Sequence, residues 1–352
     1  MNRNPTFSNT LILWYLKNKR DLPWRKTSDP YFIWLSEIIL QQTKIAQGLP
    51  YYLKFIEKFS HISLLAKAKE EDVLKLWQGL GYYSRARNLH KTAICISDNL
   101  NGVFPNNYTD LKKLKGIGDY TASAIASFCF NKPTATVDGN VYRVLARYFN
   151  ISTPINSPKG ITEFKELAQL LIDKENPGTH NQALMEFGAL LCKPQNPDCL
   201  NCPFSNSCLA LKNDTIKMLP VKKGKIKVRK RYFNYLVINH QNKYTCIQQR
   251  KGNGIWENLF EFPLYETESN IDVASLLKAP VFLELLQHKS YQVSKFNSKQ
   301  IIHKLSHQHL YTTFWLINTN DLFKNAILWQ NLSNFALPTL IQNFVNQFKN
   351  KV

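Results

Sequence analysis

The sequence predicts a mainly α-helical domain closed by a cysteine-rich metal loop, followed by a smaller α+β domain. Three observations carry that prediction. Apolar residues recur at three- and four-residue intervals through much of residues 7–191, the period of a helix buried on one face. Four of the seven cysteines fall within 192-CKPQNPDCLNCPFSNSC-208. Beyond residue 231 the pattern shifts to short period-two or β-branched runs bounded by Asn and Gly, which are strand signals. A chain of 352 residues has room for two cores, since one core rarely grows past roughly 250–300 residues.

In chain order, helices are expected over 30-PYFIWLSEIILQQTKIAQGL-49, 84-SRARNLHKTAICISDNL-100 and 178-GTHNQALMEFGALL-191. The first domain spans 1–215. The run 219-LPVKKGKIKVRKR-231 is basic and poor in large apolar residues, so 216–231 is expected as a linker, with a phosphate contact as its alternative use. The second domain spans 232–352, with strands at 232–238, 243–249 and 309–317 and a helix near 271–278.

Lys and Arg number 45 against 25 Asp and Glu, a formal charge of +20. Such a field attracts polyanions, nucleic acid first among them, although basic surfaces also aid solubility. No apolar run approaches a membrane span and the N-terminus lacks signal-peptide architecture. A monomeric cytoplasmic protein, with the nucleoid as its place of work, is expected. Cys95, Cys129 and Cys246 are scattered singly, which argues against a disulfide framework.

The clustered cysteines sit among Pro, Asn and Asp, in a segment with too little apolar surface to fold by burial. A metal centre would supply the missing cross-link. Zinc sites favour paired C-x₂-C knuckles, and only Cys199 and Cys202 are so spaced. Uneven intervals of six, two and five suit four thiolates around one cubane. On spacing alone, both metals stay open.

The pattern C-x₆-C-x₂-C-x₅-C after a helical domain resembles the [4Fe–4S] loop of the endonuclease III and MutY family of DNA glycosylases. The resemblance implies a [4Fe–4S] cluster on Cys192, Cys199, Cys202 and Cys208. It extends over essentially the whole chain, motif by motif. The stretch 111-LKKLKGIGDYTASAIASF-128 is similar to the family's helix-hairpin-helix, in which Gly116 and Gly118 let backbone N–H groups approach a DNA phosphate. Lys115 stands where the family commonly has Pro. The stretch 136-TVDGNVYRVLAR-147 matches the family's aspartate segment.

Removing a base develops positive charge on the sugar, which a neighbouring carboxylate stabilises. Asp138 is the candidate, and an N-cap is its ordinary alternative use. A departing adenine needs a proton from an acid that is still protonated near neutral pH. Glu37 lies within apolar WLSEIILQQT, similar to the MutY branch, and burial there would raise its pKa. Lyase members of the family place a Lys nucleophile early in the helix after the hairpin. Tyr120 stands there instead, which implies a monofunctional hydrolase with Tyr120 near the sugar and Asn140 holding Asp138 and water.

By the same resemblance Gln42 fills the space left by the extruded base, with Gln41 beside it, and Tyr82 in 77-WQGLGYYSRARNLHKTA-93 wedges beside the opposing base. Arg85 and Arg87 remain open between phosphate ligands and a solvated helix face. The tail resembles the Nudix-like domain of MutY proteins, without the Glu-rich box of Nudix hydrolases, so no pyrophosphatase activity is expected. Ser306 and His307 fall in its lesion-recognition loop, where Leu305 replaces the usual Phe. A surface or metal role for His303, His307 and His309 is the alternative. The implied partner is double-stranded DNA holding adenine opposite 8-oxoguanine or guanine. The alternatives are a glycosylase–lyase for oxidised pyrimidines and a non-catalytic nucleic-acid-binding module.

Overall fold

A computed structural model describes residues 5–224, 228–287 and 289–350. The chain divides into two compact units that interleave in sequence. The first comprises Met1–Lys67 and Asn88–Gly224, the second Ala68–Arg87 and Lys225–Val352. Residues 68–87 therefore group with the C-terminal unit, and not with the helical residues on either side of them.

The first unit is helical. Its most apolar helix, Pro30–Leu40, starts where Asp29 accepts a hydrogen bond from the Tyr31 N–H at 2.8 Å and Pro30 supplies a preset φ. Nearly every side chain from Tyr31 to Ile39 is buried. The expected single helix over 30–49 is in fact two. It stops at Leu40 and resumes as Ile45–Lys58, because Gln42 takes a left-handed backbone, φ +56°. Apolar periodicity continues across a break of this kind and does not reveal it.

The hairpin is Tyr108–Lys113, a turn at Gly116 with φ +79°, then Asp119–Phe130. The helices Gly139–Tyr148 and Pro177–Leu190 pack across a core of Phe7, Val144, Leu145, Phe164, Leu184, Phe187 and Phe204. They approach closely at Gly188, where an added Cβ would lie 2.7 Å from the Cβ of Asn140. The cysteine loop follows directly.

The second unit is built on a seven-stranded sheet. Strands Arg229–His240 and Gln308–Thr319 run parallel at its centre, with Tyr235 opposite Phe314. Ile301–Lys304 pairs antiparallel with Gln308–Thr319, setting Lys304 opposite His309. The central strand opens at Arg229, inside the run expected as linker, and residues 225–227 lie outside the described residues. The expected strand 243–249 is split into Tyr244–Cys246 and Gln248–Gln249. The helix expected near 271–278 is Val273–Leu277, and a second, Pro280–Leu286, follows it. Among the described residues no helix is long and apolar enough to cross a membrane.

The Gly188 contact is tested by Gly188→Ala. A methyl group there meets Cβ and backbone of Asn140, neither of which can swing aside. Overpacking should cost about 1–3 kcal/mol, seen as a lowered urea unfolding midpoint, and an unchanged midpoint would refute the close approach.

Candidate active site and recognition pocket

Within the first unit a cavity of about 560 Å³ is lined by Glu37, Tyr120, Asp138 and Asn140, together with Arg20, Arg25, Gln182 and Glu186. The four residues expected as catalytic are thus brought together. Glu37 is 8 % exposed, on a helix whose other buried neighbours are mostly apolar. Burial pushes its carboxyl up to about 7, and the negative charge of Asp138 adds to that, while the Tyr120 hydroxyl bond and the Arg25 charge oppose it. Burial and the Glu37 charge hold the Tyr120 phenol well above its ordinary value.

Asp138 caps the helix Gly139–Tyr148. Its Oδ1 accepts from the N–H groups of Asn140 and Val141 at 2.9 and 2.8 Å. Its Oδ2 accepts from the Asn140 side-chain amide at 2.7 Å. Burial raises this carboxyl, and the three donors work against that shift. The capping use and the cavity position therefore coexist: the cap fixes the carboxylate in place. Asn140 is fixed in turn by Arg143, whose Nη2 donates to Asn140 Oδ1 at 2.8 Å and to the Gly188 carbonyl at 2.7 Å. Arg143 Nε donates to the Cys192 carbonyl at 2.7 Å.

Sequence reasoning missed the opposite wall. Glu186 is 1 % exposed and is clamped by Arg20 and Arg25 through five hydrogen bonds of 2.6–3.0 Å. Despite burial, those bonds hold its carboxyl down at about 2. Gln182 is oriented by the Tyr15 hydroxyl at 2.7 Å. A usable signal was present: a lone carboxylate in the apolar stretch MEFGALL must find a buried cation.

Gln41 and Gln42 follow the last turn of the Glu37 helix. Gln41 Nε2 donates to the Thr121 hydroxyl at 3.3 Å, and Gln42 is exposed on its left-handed backbone. At the hairpin, Gly118 is extended and caps the helix Asp119–Phe130, with open space where a Cβ would stand. Lys112 and Lys113 pair with Asp119 and Asp110 at 2.6 and 2.7 Å. Both pairs are exposed and screened.

Cys192, Cys199, Cys202 and Cys208 line one apolar hollow together with Val144, Tyr148, Phe187 and Phe204, and none of the four is in a disulfide. Burial and the neighbouring sulfurs raise Cys202 to about 11, and Cys199 and Cys208 in the same direction. Arg147 donates to Cys192 Sγ at 3.5 Å and to the Lys193 carbonyl at 2.7 Å. Zinc would draw four sulfurs to about 2.3 Å from one centre. Four cysteines lining one hollow supply the four-thiolate donor set that a single zinc or one iron–sulfur cubane requires.

In the second unit a separate pocket of about 390 Å³ is lined by Tyr82, Arg87, Trp256, Leu305, Ser306 and His307, among others. Leu305, Ser306 and His307 form a tight hairpin turn, closed by the Leu305 N–H on the Gln308 carbonyl at 2.8 Å. The Ser306 hydroxyl is hydrogen-bonded to that of Tyr82, residues 224 positions apart. Arg87 points inward to the Glu257 carboxylate at 2.7 Å, which excludes a solvated face for it.

Residues 35–169 match the family model of the HhH-GPD superfamily base excision DNA repair proteins, and residues 234–347 match a NUDIX domain. The chain is similar to the adenine DNA glycosylase of Buchnera aphidicola subsp. Baizongia pistaciae, 36 % identical over 97 % of both chains. It is similar to that of Arabidopsis thaliana at 33 % identity, over 94 % of this chain and 61 % of the relative. Among solved structures, a thermostable thymine-DNA glycosylase covers 59 % of this chain and 96 % of its own, with TM-score 0.55 and 31 % identity. An endonuclease III–DNA complex, at 23 % identity and TM-score 0.52, covers 61 % of this chain and 99 % of its own and shares the fold.

The raised Glu37 carboxyl makes a stability prediction. Its ordinary value is 4.5 and its folded value about 7, so the folded state carries no penalty below 4.5 and the full penalty above 7. Glu37→Gln should therefore be more stable than the parent at about pH 8, by on the order of 3 kcal/mol at most, with the difference shrinking toward about pH 4.5. Denaturant midpoints at both pH values check this; equal stability at the higher pH would contradict the burial of a titrating carboxyl.

Proposed function

Because the chain belongs to the adenine DNA glycosylases, within the HhH-GPD superfamily, we propose that it hydrolyses the N-glycosidic bond of adenine mispaired with 8-oxoguanine or guanine, and that it does so without cutting the strand. The observation that carries this reading is the pair Glu37 and Asp138 in one buried cavity, each in its own environment.

Glu37, half-protonated near neutrality, donates a proton to a ring nitrogen of the extruded adenine. The glycosidic electron pair then leaves with a neutral base. The Asp138 carboxylate faces the positive charge that develops on the sugar. Its three N–H donors hold it in position without reorganisation. Water adds to the anomeric carbon, and its proton returns to Glu37, giving free adenine and an abasic site. Asn140 steadies Asp138 and the water. Tyr120, which lines the same cavity as Glu37, stands beside the sugar and, as a phenol, cannot form a Schiff base. Lys44 also lines the cavity, and its side chain is exposed to solvent. Arg20, Arg25, Gln182 and Glu186 supply the polar wall against which the base is held.

Cys192, Cys199, Cys202 and Cys208 would hold a [4Fe–4S] cluster, whose contribution is a cross-link that orders the loop. Gly116 and Gly118 grip a backbone phosphate, Gln42 fills the vacated stack with Gln41 beside it, and Tyr82 with Ser306 and His307 contacts the base opposite adenine.

The test is single-turnover cleavage of duplexes holding adenine opposite 8-oxoguanine or guanine, with a thymine-glycol duplex as control, each with and without hot alkali. Scission of the adenine strand only after alkali is expected, and its loss in Glu37→Gln and Asp138→Asn. The rate should fall about tenfold per pH unit above about 7 as Glu37 loses its proton. Scission without alkali would mean a lyase, and binding without any cleavage would mean a non-catalytic module.

A further inference from the structure

Arg85 was open between a phosphate ligand and a solvated helix face. The structure gives it a different place. Its guanidinium lies 5.0 Å from the ring centroid of Trp77, which is fully buried, and 5.8 Å from that of Tyr82. One Nη2 reaches the carbonyls of Leu80 and Gly81 at 3.4 and 3.3 Å. Burial depresses this guanidinium to about 10, as befits a cation withdrawn from solvent.

The turn it touches is strained. Gly79, Gly81 and Tyr82 all have positive φ, at 103°, 71° and 47°. Glycine tolerates this, whereas a tyrosine there costs of order 1–3 kcal/mol and persists only where its surroundings over-determine it. Trp77 Nε1 ties the Gly81 carbonyl at 3.0 Å, and the Gly79 N–H meets the Tyr83 hydroxyl at 3.4 Å. Arg85 closes the set, its guanidinium lying over both the buried indole of Trp77 and the Tyr82 ring. Tyr82 itself stays 48 % exposed.

We infer that Arg85 is a positioning residue for Tyr82: it locks the strained 79–82 turn so that the phenol ring meets the base opposite adenine in one fixed orientation, and it is not a phosphate ligand. This rests on the proposed use of Tyr82 as a contact to that base. Lysine carries the same charge but neither the flat face nor the fork of donors, so the two residues are not interchangeable here.

The experiment measures single-turnover adenine release opposite 8-oxoguanine and opposite guanine for Arg85→Met, Arg85→Lys, Tyr82→Leu and the double variant Tyr82→Leu with Arg85→Met. The readout is the ratio of the two rates. We expect Tyr82→Leu to lower the ratio, and both Arg85 variants to lower it by roughly three- to thirty-fold, the range of a cation–π contact. In the Tyr82→Leu background, Arg85→Met should add nothing, because Arg85 acts through the ring. In parallel, binding to a duplex carrying a non-hydrolysable adenine nucleoside is followed against salt. Positioning leaves the slope of log Kd on log salt unchanged, whereas losing a phosphate contact reduces it by about 0.9.

If Tyr82→Leu leaves the ratio intact, the proposed use of Tyr82 fails and the inference with it. If Tyr82→Leu lowers the ratio while Arg85→Lys does not, only the role of Arg85 is overturned. Additive losses in the double variant, or a reduced salt slope, also overturn it. Arg85→Lys preserves charge and bulk and carries the test should Arg85→Met not fold.

Discussion

The guanidinium of Arg143 is the contact on which the catalytic unit depends. One planar group joins three acceptors: the amide oxygen of Asn140, which steadies Asp138, the Gly188 carbonyl near the end of the helix Pro177–Leu190, and the carbonyl of Cys192. The fork geometry of arginine makes this possible, and a lysine at the same place would reach one acceptor well. The absence of a side chain at Gly188 lets the two helices come close enough for the fork to close. Position of the carboxylate, packing of the core and start of the cysteine loop are thus set by one residue.

Around that frame the cavity separates its carboxyls by environment. Glu37 has apolar neighbours and a single hydroxyl, so it holds its proton to about neutrality. Glu186 is also buried, yet two arginines hold it ionised. Asp138 lies between these extremes, raised by burial and opposed by three N–H donors. The same functional group is thereby given three different proton affinities within one cavity. A chain of charge +20 can bring three buried acids close to a polyanion because its net field favours that polyanion throughout.

Much of this was legible in the sequence. Strong periodicity located the helices 84–99 and 177–190, and the GIG turn located the hairpin. Glu37, Tyr120, Asp138 and Asn140, chosen through motif resemblance, do line one cavity. The misses have physical reasons. The break at 41–44 turns on one left-handed residue that is not glycine, which periodicity cannot register. Arg20 and Arg25 lie 166 and 161 positions from Glu186 along the chain, and no local pattern joins them to it. Arg85 and Arg87 looked like surface charges because arginine usually is one, whereas each has an internal partner: aromatic faces for one, a carboxylate for the other.

The interleaving of the two units bears on how the protein is made. Residues 68–87 leave the ribosome early, yet their hydrogen-bond partners Asn258, Ser306, Phe335 and Gln342 all lie beyond residue 228. Trp77 and the Tyr82 turn must therefore wait for most of the chain to be synthesised before their surroundings exist. Contacts of such long sequence separation form late and slowly. During that interval a large indole and a tyrosine have no native cover, and a nascent chain in that state is exposed to misassociation. The helical unit, by contrast, has all of its residues in hand once residue 224 has emerged. The pocket lined by Tyr82, Ser306 and His307 is thus the last to be completed, and a chain cut short after the cysteine loop would carry every residue that lines the cavity of Glu37 and Asp138 while lacking Ser306 and His307.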